Sequence, residues 1–167
     1  MATRVDNATG IRNLCAVALH LYEHMPVNAA TKFAIRTVLR EAVNKSNPEY
    51  KGNNNRKNCR YISLAAEVLL SDANADLVSD HAIPISLLLK EFYAVGAHSL
   101  DELVALVGKY SLMVLITDAE DDRLAEDGLV KKMPDDWDGQ DVLARYATAR
   151  ITVKLNPAFH PPSSGEL

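Results

Sequence analysis

Two histidines four residues apart are the first side chains in this sequence that could hold a metal ion. His20 and His24 would lie on one face of a predicted helix, where both imidazoles could reach a single zinc ion. Glu23 could then act as the general base of a metallopeptidase. Such a site also needs a third protein ligand from elsewhere in the chain. Ordinary histidines at the edge of a core are the simpler interpretation, and both stand at this point.

Other familiar catalytic patterns are missing from the sequence. It contains no GxSxG motif of the kind found in serine hydrolases. Its seven glycines do not form a glycine-rich phosphate loop. The acidic run 118–127 lacks the central glycine and the ligand spacing of an EF-hand loop, so a solvated helix face is the simpler interpretation.

The most informative constellation is the segment 79–84, which reads Ser-Asp-His-Ala-Ile-Pro. An Asp-His pair followed by small or apolar residues and a proline resembles the first strand of HNH (His-Me finger) endonucleases. A second strand at 112–117 and a helix at 118–127 would complete the likeness, with Ile85–Gly108 as an insertion between the strands. The resemblance covers about residues 76–134.

The resemblance implies metal-dependent hydrolysis of a phosphodiester bond. His81 would be the general base, Asp80 would help to hold Mg²⁺ or Mn²⁺, and Asp121 or Asp122 would be a second ligand. The family usually has Asn or His where this aspartate stands, so the protein would be either an active or a degenerate member. Without the resemblance, Asp80 is an ordinary cap ahead of a helix with Pro84 in its first turn.

Charge is distributed unevenly along the chain. The total of 18 basic and 22 acidic residues gives a net charge of −4, yet residues 31–60 carry eight bases and two acids. Three of these bases recur every four residues and would form one stripe on a helix, and three more lie in or after an asparagine-rich loop. We expect this basic segment to bind nucleic acid. Its candidate residues are Lys32, Arg36, Arg40, Arg56, Lys57 and Arg60.

An alternative function lies in the acidic segment 118–141, which has ten acids and three bases. It would dock a basic, nucleic-acid-binding protein, and the chain would be a non-enzymatic inhibitor or adaptor. Asp135, Asp136 and Asp138 surround Trp137, the kind of aromatic anchor that interfaces favour. A tryptophan lying over the last helix is the simpler interpretation of Trp137.

The positions of apolar residues predict a mainly α fold, α+β with a small β element. A chain of 167 residues suits one compact helical domain over 1–155 with one or two short strands, followed by an extended or disordered tail over 156–167. No apolar run is long enough to span a membrane, and no secretory leader is visible, so we expect a cytoplasmic protein of a bacterium or phage.

Local signals place most of the elements. In the second helix, which Asn28 should cap, Phe33 counts among the apolar residues. Ser99 with Glu102 and Thr117 with Glu120 are predicted capping boxes. The predicted helices are Ile11–Tyr22, 29–44, Ile62–Leu70, Ile85–Val95, 100–108, 118–127 and 140–149, with a strand at Tyr110–Thr117 and an extended segment at 76–84.

Overall fold

The computed structural model describes residues 7–45, 59–95 and 99–159. Helices and strands alternate irregularly along the chain. In chain order they are α1 (Asn7–His24), α2 (Ala29–Lys45), β1 (Tyr61–Ser63), α3 (Leu64–Val68), β2 (Leu77–His81), α4 (Ile85–Val95), α5 (Leu100–Lys109), β3 (Met113–Thr117), α6 (Asp118–Glu126), α7 (Ala144–Thr148) and β4 (Val153–Leu155).

The described residues group into two compact units. The first contains residues 7–45, 88–95 and 99–111, and the second contains 59–87 and 112–159. The single domain over 1–155 stays a prediction. Within the part of the chain that the structure describes, no helix is long and apolar enough to cross a membrane.

The first unit is built from helices. Asn28 caps α2, as predicted. Its Oδ1 accepts a hydrogen bond of 2.9 Å from the backbone N–H of Thr31. The helices α1, α2 and α5 pack against one another. Their buried apolar residues recur at helical spacing and exclude water from one face of each helix. They include Cys15, Ala18, Ile35, Leu39, Leu103 and Val107.

The second unit contains a four-stranded mixed sheet in the order β2-β3-β1-β4. The strands β1 and β3 run parallel, while β2 pairs antiparallel with β3 and β4 pairs antiparallel with β1. Apolar clusters cover both faces of the sheet, one containing Ile116 and the other containing Ile62. The prediction of a helix-rich α+β fold is confirmed, but one or two strands was too few.

Two predicted helices are corrected by tertiary structure. The segment Ile62–Leu70 begins as a strand, because Ile62 and Ser63 are fully buried between two neighbouring strands of the sheet. The helix predicted over 140–149 is only α7. Asp138 and Asp141 side chains accept backbone N–H groups just before it, which favours turns over an earlier helix start.

Both capping boxes are confirmed, at Ser99 with Glu102 and at Thr117 with Glu120. The predicted tail differs at its beginning. Asn156 is buried, and its side-chain amide donates to the carbonyl of Cys59 over 2.8 Å. Residues 160–167 of the predicted tail lie outside the described residues.

Candidate functional site

The Asp-His pair lies on β2, at an edge of the sheet. Asp80 is opposite Val114 and His81 is opposite Met113 in the antiparallel pairing of β2 with β3. The helix α6 follows β3 directly and contacts both strands. The chain therefore forms a strand–strand–helix arrangement, with α4 and α5 lying between the two strands in sequence.

Asp80 and His81 point to opposite faces of the sheet, because neighbouring residues of a strand alternate in direction. Val78 and Ala82 belong to the apolar cluster on one face, so Asp80 lies on that face. Leu77 packs against the cluster on the other face, which His81 shares. Both Asp80 and His81 are half-buried.

The carboxylate of Asp80 is held by two neighbouring residues of another segment. Arg145 donates from Nη2 to Asp80 Oδ2, and the hydroxyl of Tyr146 donates to the same oxygen over 2.6 Å. Arg145 is only 1% exposed. Its remaining donors reach the carbonyls of Ala82, over 3.1 Å, and Leu129, over 3.0 Å. Arg145 therefore ties three separate segments of the second unit together.

Asp121 on α6 adds a second carboxylate to this neighbourhood. Burial raises the pKa of Asp80, Arg145 and Tyr146 oppose the rise, and the charge of Asp121 adds to it. Burial also raises the pKa of Asp121, and the charge of Arg145 again opposes the rise. Arg145 is therefore bonded to Asp80, and its charge also acts on Asp121. Asp122, the other candidate, is exposed.

This donor set does not fit a divalent ion at Asp80. Its Oδ2 is already taken by a guanidinium and a phenol, and a carboxylate in an ion pair is a poor ligand. Across residues 7–45, 59–95 and 99–159 no three His, Cys, Asp or Glu side chains group closely enough to hold a metal. We therefore assign no hydrolytic step to a metal here, and binding of Mg²⁺ or Mn²⁺ stays a prediction.

The histidine pair belongs to α1, which is part of the first unit. The rings of His20 and His24 meet edge to face with their centroids 4.6 Å apart. Both residues are exposed, and Glu23 lies 4.0 Å from His24. Zinc binding by this pair also stays a prediction.

The predicted basic stripe of α2 is exposed along its length. Lys32, Arg36 and Arg40 all face solvent, and none of them forms an ion pair with another described residue. The nearby Glu41 pairs instead with Lys45, over 3.7 Å. Three cations that form no ion pair within the described part of the chain therefore line one helix face.

Of the other predicted phosphate contacts, Arg60 lies within the described residues. Arg56 and Lys57 lie outside the described residues. Arg60 is exposed in the second unit, where its guanidinium lies 5.9 Å from the ring centre of Tyr61.

An exposed phenylalanine beside the basic stripe was missed by the sequence analysis. Phe33 is 69% exposed, although the sequence analysis counted it with the apolar residues of the helix. The buried Ile35 and Leu39 recur at core spacing, whereas Phe33 is two positions before Ile35 and so lies off that face. This two-residue offset from Ile35 is the sequence signal that Phe33 lies off the buried face.

In the acidic loop after α6, the carboxylates of Asp135 and Asp138 are bonded to other groups of the same loop. Asp135 pairs with Lys132 over 3.0 Å. Asp138 accepts backbone N–H groups from Gln140 and Asp141, at 2.8 and 3.2 Å, and these hydrogen bonds lower the pKa of Asp138. These contacts shape a turn.

The side chain of Trp137 is also bonded within this loop. It is half-buried, and its indole N–H donates to the carbonyl of Asp141 over 2.7 Å. Asp136 is exposed. A tryptophan already bonded within its own loop offers less to a partner than an exposed anchor would.

Arg145 and Tyr146 were also missed by the sequence analysis. Arginine side chains are usually exposed, so the burial of Arg145, between Ala144 and Tyr146, can be predicted only when its acidic partner is known. That partner, Asp80, lies 65 positions earlier.

Comparisons with family models, curated proteins and solved structures found no match, so the resemblance to HNH endonucleases stays a prediction.

Proposed function

We propose that this protein binds nucleic acid through the basic stripe of α2, formed by Lys32, Arg36 and Arg40, and does not cleave it. The proposal rests on the observation that all three cations are exposed and form no ion pair with another described residue. Successive members are four residues apart, about 6 Å along the helix axis. A row of exposed cations at this spacing attracts a phosphate backbone, and binding gains free energy by releasing the counterions of the nucleic acid.

The second part of the proposal, binding without cleavage, rests on the second unit. The order β2, β3, α6 supports a relationship to HNH-like proteins. The bonding of Asp80 to Arg145 and Tyr146 supports a degenerate member, because the acid that would hold the metal is used as a structural acceptor. We therefore expect no metal-dependent hydrolysis at His81.

Binding is tested with fluorescently labelled oligonucleotides in an anisotropy titration. The triple variant Lys32→Gln, Arg36→Gln, Arg40→Gln should bind at least about tenfold more weakly and lower the magnitude of the salt slope by about 2 to 3. A matched control replaces three exposed cations elsewhere, by Lys90→Gln, Arg123→Gln and Lys131→Gln. The control should bind like the wild type. Equal affinity of wild type and stripe variant would refute the proposal.

Cleavage is tested separately with supercoiled plasmid and Mg²⁺ or Mn²⁺. The wild type and His81→Ala should give the same background nicking. Metal-dependent nicking that His81→Ala abolishes would overturn the non-cleaving part and favour an active HNH-like enzyme. The binding experiment would stand in either case, because its variants do not touch His81.

The acidic docking module has less support. Trp137 and Asp138 are engaged within their own loop, which leaves Asp136 as the exposed acid without a role there. Reversal of Asp135, Asp136 and Asp138 to Lys should leave binding to nucleic acid unchanged or stronger. A loss of binding after this reversal would contradict the stripe as the binding surface.

A further inference from the structure

We infer that the preferred ligand is single-stranded nucleic acid, with one base stacked on Phe33 and its phosphates held by Arg36 and Arg40. This inference rests on the proposed function and names its ligand class. Its basis is the position of an exposed phenyl ring. Among the Phe, Tyr and Trp residues within the described ranges, only Phe33 is mostly exposed, at 69%.

Phe33 lies on the same helix face as the two arginines. Arg36 is three residues further along α2 and Arg40 is seven, which places all three side chains within a narrow strip of the helix surface. The axial rise from Phe33 to Arg40 is about 10 Å. A ring and two guanidinium groups within that distance can contact a base and the phosphates beside it at the same time.

The remaining chemistry of this face favours contact without sequence preference. The hydroxyl of Thr37 donates to the carbonyl of Phe33 over 2.9 Å, so this neighbouring polar group is used within the helix. What α2 offers outward is a π-face and positive charge. Every base has a face that can stack on an aromatic ring, and such contacts tolerate any sequence.

A duplex cannot make the same contact. Its base faces are covered by neighbouring base pairs, and a side chain reaches them only after unstacking a step, which costs free energy. One phenyl ring gains too little by stacking to offset that cost and the loss of pairing. A single strand presents open base faces, so Phe33 should add affinity for single strands alone.

Two other occupants of this face fit less well. A second copy of the chain docking through the same face would bring two stripes of like charge together. An anionic membrane would meet one apolar ring among three cations, on a helix whose opposite side is buried at Ile35 and Leu39. Interfacial helices bury a whole apolar face, which α2 does not have available.

The experiment measures anisotropy of the full chain with a labelled oligo-dT of about 20 nucleotides and a duplex of equal length. The wild type should bind the single strand about tenfold more tightly than the duplex. Phe33→Ala should weaken single-strand binding about tenfold and duplex binding less than twofold. Phe33→Tyr keeps the stacking surface and should retain affinity. Val27→Ala, at another exposed apolar side chain, is the matched control and should have no effect.

The outcomes separate this inference from the proposed function. Binding that Phe33→Ala leaves unchanged, or weakens equally for both forms, overturns the single-strand preference while the proposed function stands. No binding of either form overturns both. Phosphatidylserine vesicles that bind the wild type but not Phe33→Ala, with no oligonucleotide binding, would identify a membrane surface instead. Self-association of the wild type that Phe33→Ala abolishes would identify a second copy as the occupant.

Discussion

The guanidinium of Arg145 donates to the carboxylate of Asp80, which lies 65 positions earlier in the sequence. The same guanidinium also donates to the carbonyl of His81, the last residue of β2, and to that of Ala82 directly after it. A fully buried arginine thus fixes the end of the edge strand on which the Asp-His pair lies. Asp80 acts as the acceptor that balances its charge.

Arg145→Met should lower the free energy of unfolding by about 3 to 5 kcal/mol, because it leaves the largely buried carboxylate of Asp80 without its cation and removes the donors of several carbonyls. Urea unfolding followed by the fluorescence of Trp137, which is in the same unit, measures the change. Arg123→Met, at an exposed arginine of α6, should stay within about 0.5 kcal/mol of the wild type. A loss below about 1 kcal/mol for Arg145→Met would mean that the network does not hold the unit together.

Tyr146→Phe isolates the hydroxyl of the same cluster. The phenol is fully buried and donates to Asp80 over 2.6 Å, so its removal should cost about 1 to 2 kcal/mol. Urea unfolding gives the value, and Tyr61→Phe, at a half-buried tyrosine of the same unit, serves as the control. If both substitutions cost the same, the hydrogen bond to Asp80 contributes nothing specific.

The sequence predicted those features whose partners are local. Thr117 and Glu120 are three residues apart, and their capping box is present. The spacing of Lys32, Arg36 and Arg40 likewise placed them on one exposed face. The sequence could not pair Arg145 with Asp80, because contacts across tens of residues depend on the sheet topology. It assigned Ile62 to a helix for the same reason, since strand pairing overrode the local preference.

Glu120 illustrates the combination of a local and a distant contact. It is 7% exposed and accepts hydrogen bonds from the backbone of Thr117 at 2.9 Å and from the hydroxyl of Ser63 at 2.6 Å. Ser63 also caps α3 by accepting from the N–H of Ala66 over 3.0 Å. One hydroxyl therefore connects the N-termini of α3 and α6.

Ser63→Ala should consequently cost more than loss of a cap alone. We expect about 2 to 3 kcal/mol, since the variant removes the α3 cap and leaves Glu120 with one donor fewer in a buried position. Ser99→Ala, which removes the hydroxyl from an exposed capping box, should cost about 1 kcal/mol. Urea unfolding followed by circular dichroism measures both. Equal losses would show that the bond to Glu120 is energetically neutral.

Asp121 predicts a dependence of stability on pH. Because burial raises its pKa in the folded state, the folded protein binds more protons than the unfolded chain as the pH rises above the ordinary aspartate value of about 3.9. The contribution of Asp121 to the free energy of unfolding therefore falls as the pH rises. Asp121→Asn should be more stable than the wild type at neutral pH, and the difference should vanish in acid. Asp122→Asn, at an exposed acid, is the control. An Asp121→Asn variant less stable at neutral pH would mean that attraction to Arg145 outweighs burial.

The two cysteines report on the two units separately. Cys15 lies in the first unit and Cys59 in the second, both are fully buried, and burial raises the pKa of each thiol to about 11. Because the thiolate is the reactive form, neither should react quickly with a disulfide reagent at about pH 8 in native buffer. The variants Cys15→Ser and Cys59→Ser leave one reporter each. Labelling across a urea series should then follow the opening of each unit, with full reaction of both thiols in the unfolded chain. Rapid labelling of either thiol in native buffer would contradict its burial in the folded unit.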